Sequence, residues 1–146
     1  MTLKDMHNNI KQVVGLWPQL VTETAEGTPG DDGVADLKGF HAAECVFMLG
    51  EEGGTETWSD TVKIKLEIHE SDAATSGFAA AASASLIGEV AEIEVKTNAE
   101  KECFTIGYKG TKRYIKPVFK LTGTFTDGTY MSSATILGLP QKASTR

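Results

Sequence analysis

"TVKIKLEIHES", residues 61–71, alternates apolar and polar side chains with a period of two. Val62, Ile64, Leu66 and Ile68 fall on one side, and Lys63, Lys65, Glu67 and His69 on the other. An extended chain turns successive side chains to opposite faces, so the pattern predicts a β-strand with one face buried and one in water.

The neighbouring segments read the same way. "AEIEVKT" (91–97) sets Ile93 and Val95 opposite Glu92, Glu94 and Lys96. "IKQVVGLW" (10–17) alternates more loosely and predicts a first strand ending at Pro18. "FHAAECVFMLG" (40–50) is apolar on both faces from Cys45 to Leu49, which predicts a central strand covered on both sides. Residues 103–125 read as a strand, a tight turn at "KGTK" (109–112) and a second strand. Residues 125–140 add a turn at Asp127-Gly128 and a last strand that stops before Pro140. The Ala- and Ser-rich stretch 71–89 lacks a charged face, so it predicts a loop or short helical turn followed by a strand.

Short strands separated by turn signals, with no long helical period, predict an all-β single domain over residues 1–146, a sandwich or barrel with short helical turns at most. A chain of 146 residues is long enough for a real core, and 15 glycines favour turns over long helices. The two ends, 1–9 and 139–146, are candidate extended arms. The N-terminus lacks a basic region followed by an apolar run, and the weakly apolar stretch 78–88 is too short to span a bilayer. The expectation is a protein made and folded in a cytoplasm, with no membrane partner.

The formal net charge is -6, yet residues 107–123, "GYKGTKRYIKPVFKLTG", carry Lys109, Lys112, Arg113, Lys116 and Lys120 and no acid. From Arg113 onward Ile115, Pro117, Phe119 and Leu121 share one face, and Tyr114, Lys116, Val118, Lys120 and Thr122 the other. This predicts an amphipathic strand with its lysines in water and, because Pro117 has no N–H for a ladder, an edge strand or a bulge. A platform for single-stranded nucleic acid would need more exposed aromatics than Tyr114 and Tyr108, and the acidic whole argues against phosphate binding. Tyr114, Lys116 and Lys120 stand instead as candidate contacts for an acidic protein partner. Trp58, in the polar stretch "GGTETWSD", is a further candidate, since a carbohydrate- or host-surface-binding sandwich needs an exposed aromatic.

Little else asks for chemistry. No nucleophile elbow, phosphate-binding Gly-rich loop or His-Glu-x-x-His pattern occurs, so no catalytic, metal or cofactor residue is assigned. The "GDDG" of the acidic stretch 22–36 lacks the alternating ligands of a calcium loop. His69 reads as a surface residue. Cys45 and Cys103 both sit in apolar runs and are either two buried thiols or, if their strands are neighbours at the right geometry, a disulfide.

The order of segments resembles a group of small tailed-bacteriophage virion proteins. The matching pieces are "MHNNIKQVVGLWP" (6–18), "ADLKGFHAAECVFMLG" (35–50), "VKIKLEIHESDAATSGF" (62–78) and "IGYKGTKRYIKPVFKLTGTFTDGTYMSSATILGLPQKA" (106–143). The resemblance implies a structural, non-enzymatic role, as a capsid decoration or cement protein on the outer surface of the head, or alternatively a head–tail connector, collar or tail component. It implies the major capsid protein or neighbouring virion proteins as partners. It also implies a homo-oligomer, a trimer if the site on the shell is threefold.

Overall fold

The computed structural model describes residues 6–26, 33–88, 93–95 and 102–141. The chain forms two antiparallel sheets that face each other without closing into a barrel, so the all-β sandwich is the architecture. The strands are β1 (Ile10–Val21), β2 (Ala25–Glu26), β3 (Ala35–Asp36), β4 (Phe40–Glu52), β5 (Lys63–Ser71), β6 (Ala79–Ala80), β7 (Leu86–Ile87), β8 (Ile93–Val95), β9 (Glu102–Tyr108), β10 (Tyr114–Thr122) and β11 (Thr129–Pro140). A 3₁₀ turn at Ser83–Ser85 is the one helical element among the described residues.

One sheet runs β1-β11-β4-β9-β7. In the other, β10 and β5 form the centre; β2 and β3 flank β10, while β6 and β8 flank β5. The alternation of residues 61–71 does what its pattern requires: Ile64, Leu66 and Ile68 are buried between the sheets. From the opposite sheet come Cys45, Phe47, Leu49, Ile106, Met131 and Leu137.

Three features depart from the reading of the sequence. The first strand does not end at Pro18 but continues to Val21, because β1 is an edge strand whose register slips between Val14 and Leu16 and again between Leu16 and Gln19. A bulged edge has room for a residue without an N–H. Pro117 is not on an edge strand either. Beside β10 the ladder is made in two short pieces, at residues 114–115 with β3 and 118–119 with β2, and Pro117 lies between them. Finally, β9 and β10 are not a hairpin. β9 pairs with β4 and β10 with β5, so residues 109–113 carry the chain from one sheet to the other.

The 91–97 strand is seen only as β8, and residues 27–32 of the acidic stretch 22–36, with its "GDD", lie outside the described residues, as do 1–5 and 142–146 of the two candidate arms. Within the described part of the C-terminal arm, Gln141 donates its backbone N–H to the Gly39 carbonyl (2.8 Å), and β11 includes Pro140.

Candidate functional site

The basic stretch 107–123 divides between one end of the sandwich and the outer face of the second sheet. At the end, Arg113 forms a two-point ion pair with Asp36, Nε to Oδ1 at 3.0 Å and a terminal guanidinium nitrogen to Oδ2 at 2.8 Å. That hydrogen bonding holds the Asp36 carboxyl below the usual carboxylate range. Lys112 donates its ammonium to Asp72, which raises the lysine's affinity for its proton. Tyr108 is buried against the core and donates its hydroxyl to Glu70 Oε2 (2.6 Å), while its own phenol oxygen accepts the backbone N–H of Lys112 (3.1 Å). Burial first, and the neighbouring Glu70 carboxylate second, push the phenol well above its ordinary pKa. Here a shallow recess of about 500 Å³ is lined by Lys38, His41, Lys109, Thr111, Lys112 and Arg113, among others.

On the outer face of the second sheet, Tyr114, Lys116 and Lys120 align along β10 as their spacing requires, but their environments differ. Tyr114 is half-buried with the Arg113 guanidinium 4.9 Å from its ring centre. Lys120 is exposed, its Nζ 3.9 Å from Glu67 Oε1. Lys116 overturns the expectation of a wet lysine: it is 3% exposed, and its ammonium sits 4.7 Å from the ring centre of Phe78. Parity put Lys116 on the right face; the loop between β5 and β6, folding over that face, removed it from water. Burial of the stem and a cation–π contact replace hydration. Glu67 lies beside it, also buried, and shares a 2.9 Å hydrogen bond with His69 Nε2. The cations of this stretch are thus largely engaged by the protein's own Asp36, Asp72, Phe78 and Glu67.

Trp58 lies at the opposite end of the sandwich. It is half-buried, packs edge-on to Phe125 with ring centres 5.5 Å apart, and donates its indole N–H to Glu52. It is therefore a structural pin for the loop after β4 and not an open platform. Glu56, in the same loop, is buried and accepts the backbone N–H groups of Asp127 (2.5 Å) and Gly128 (2.7 Å). Trp17, by contrast, is 64% exposed.

Both cysteines are free. Their strands are neighbours, but Cys45 stands opposite Ile106 and Cys103 opposite Met48. They are therefore three residues out of step, about 10 Å along the ladder, and on opposite faces of the sheet. No disulfide reaches across that. Cys45 is buried beside Thr135, and burial pushes its thiol up to about 12; Cys103 is exposed, contrary to the expectation of two buried thiols. Among the described residues no group of three His, Cys, Asp or Glu side chains is placed to hold a metal ion, and no helix is long and apolar enough to cross a membrane.

A further feature lies on the outer face of the five-stranded sheet. Across β1 10–14, β11 130–138, β4 42–48 and β9 103–107, the outward positions carry one charged side chain, Glu44. Met48 is 42% exposed there, and Leu20, Ile87 and Tyr130 likewise stand out into water. The opposite outer face of the sandwich carries Lys63, Lys65, Glu67, His69 and Lys120. The signal for this face was present in "FHAAECVFMLG", apolar on both sides, but it reads equally as a strand covered on both sides. β4 is central in its sheet, yet among the described residues it is covered on one side only. In comparisons with protein-family models, curated proteins and solved structures, nothing matches this chain.

Proposed function

We propose that this protein is a structural component of a tailed-bacteriophage virion, and that it decorates the outer shell of the head as a cement protein bound to the major capsid protein. The reading draws its family from the order of sequence segments and its physical support from one observation: the two outer faces of the sandwich differ in kind. One is rich in lysine and glutamate; the other is nearly free of charge and exposes large apolar side chains. Contiguous exposed apolar surface marks docking sites on proteins, and a subunit built into a particle needs one surface to bury against a neighbour and others to leave open.

The test is co-sedimentation of the purified protein with expanded heads that lack it, with isolated tails as the comparison. Saturable binding to heads supports the cement role. Binding to tails alone would move the protein to the connector or collar, and binding to neither would remove it from the particle surface.

A further inference from the structure

The geometry points to a second copy of this chain as the occupant of the charge-poor face: two sandwiches stack through their five-stranded sheets about a two-fold axis. This rests on the docking reading of that face and names the neighbour buried there as a second copy, which leaves the other surfaces of the sandwich to meet the shell; pairing is measured without the shell.

The face is self-complementary in shape. One end is hollow: a recess of about 450 Å³ is lined by Ala42, Glu44, Thr105, Gly107, Ile136 and Gly138, with Ile87 at its rim. Small residues make the hollow. The other end is raised, with Leu20, Met48 and Tyr130 projecting from β1, β4 and β11. The facing pair Val46 and Ala134 lies between the two ends. A two-fold axis in the plane between two such sheets, running across the strands near this pair, places the ridge of each copy over the recess of the other. That is an isologous interface, in which one patch answers itself.

Charge and area select this partner. A foreign partner recognised by charge would need complementary charges on this face, and only Glu44 is offered. The net charge of -6 resists self-association elsewhere on the molecule, but within the face the operation separates the two Glu44 carboxylates. Each lies two residues from the central row, so the copies stand about 13 Å apart along the strands, beyond a Debye length at physiological salt. Four strands, β1, β11, β4 and β9, spaced about 4.8 Å apart and facing outward over roughly seven to nine residues each, span a footprint of roughly 550 Å² per copy. Two copies then bury about 1,100 Å², just above the roughly 1,000 Å² that a specific interface needs. Face-to-face sheets at about 10 Å are an ordinary packing mode.

The test is the mass in solution, by sedimentation velocity, across a hundredfold concentration series reaching about 200 μM. The expected species is twice the 15.6 kDa chain. Ala134→Arg at the centre and Met48→Glu on the ridge, which the same operation sets over Glu44 of the other copy, should each weaken association at least tenfold, with circular dichroism unchanged. Lys63→Glu, on the opposite face, should leave it in place. Dimerisation should also slow alkylation of Cys103, and Ala134→Arg should restore the rate. A wild-type monomer throughout the series, a dimer indifferent to both substitutions, or a trimer would each overturn the proposal. Binding to heads is a separate measurement, so a monomer that sediments with heads would sink this inference alone, and a dimer that does not would sink the cement role alone.

Discussion

The rings of Phe47 and Phe119 meet edge to face across the sandwich, their centres 5.3 Å apart and their planes at 86°. Phe47 belongs to β4 and Phe119 to β10, so this contact joins the central strands of the two sheets. Both side chains are fully buried. Phe119→Ala should cost about 3–5 kcal/mol, the usual range for deleting a buried aromatic. Chemical denaturation would measure it, and a loss below about 1 kcal/mol would mean that the sheets do not meet at this point.

Lys116 and Lys120 look equivalent in sequence but should respond differently. Lys116→Glu places a carboxylate in a buried site over the Phe78 ring and beside Glu67, and should destabilise by about 3 kcal/mol or more. Lys120→Glu alters an exposed residue with one long contact to Glu67 and should cost about 1 kcal/mol or less. Equal shifts in thermal melts would show that the loop between β5 and β6 does not cover Lys116.

Glu56 closes the turn that leads into β11. Glu56→Ala would leave the N–H groups of Asp127 and Gly128 without their acceptor, a loss of about 1–3 kcal/mol. Glu56→Gln keeps one carbonyl oxygen and should lose less. Hydrogen exchange at those two amides reports the effect directly: both should be protected in the parent and open in the alanine variant.

The two thiols should separate by reactivity. A mild alkylating reagent should modify Cys103 in the folded protein and reach Cys45 only after denaturation, since burial suppresses the Cys45 thiolate. Mass spectrometry of the native and unfolded chain decides it; two modified cysteines under native conditions would contradict the placement of Cys45.

At low pH the Asp36–Arg113 pair should weaken. Because Asp36 titrates lower in the folded protein than in the unfolded chain, its contribution is complete above the ordinary aspartate range near 4 and fades as pH falls through the lowered value. Both partners are largely solvated, so the effect is small and screened by salt. Asp36→Asn should flatten that part of the stability–pH profile.

Local sequence determined which residues are strands and which way their side chains point. The alternation at 61–71 placed Ile64, Leu66 and Ile68 inside, and the alternation after Arg113 placed Ile115 and Phe119 inside, because the period of a strand is a property of its own backbone. Tertiary structure decided everything that depends on a second segment. Whether Lys116 meets water depends on where Phe78 folds. Whether Cys45 can reach Cys103 depends on the register of β4 against β9. Whether the second side of "FHAAECVFMLG" is covered depends on what lies above the sheet. An apolar side chain in a strand records that it can be buried, but only the packing of distant segments determines which surface is left to bury it.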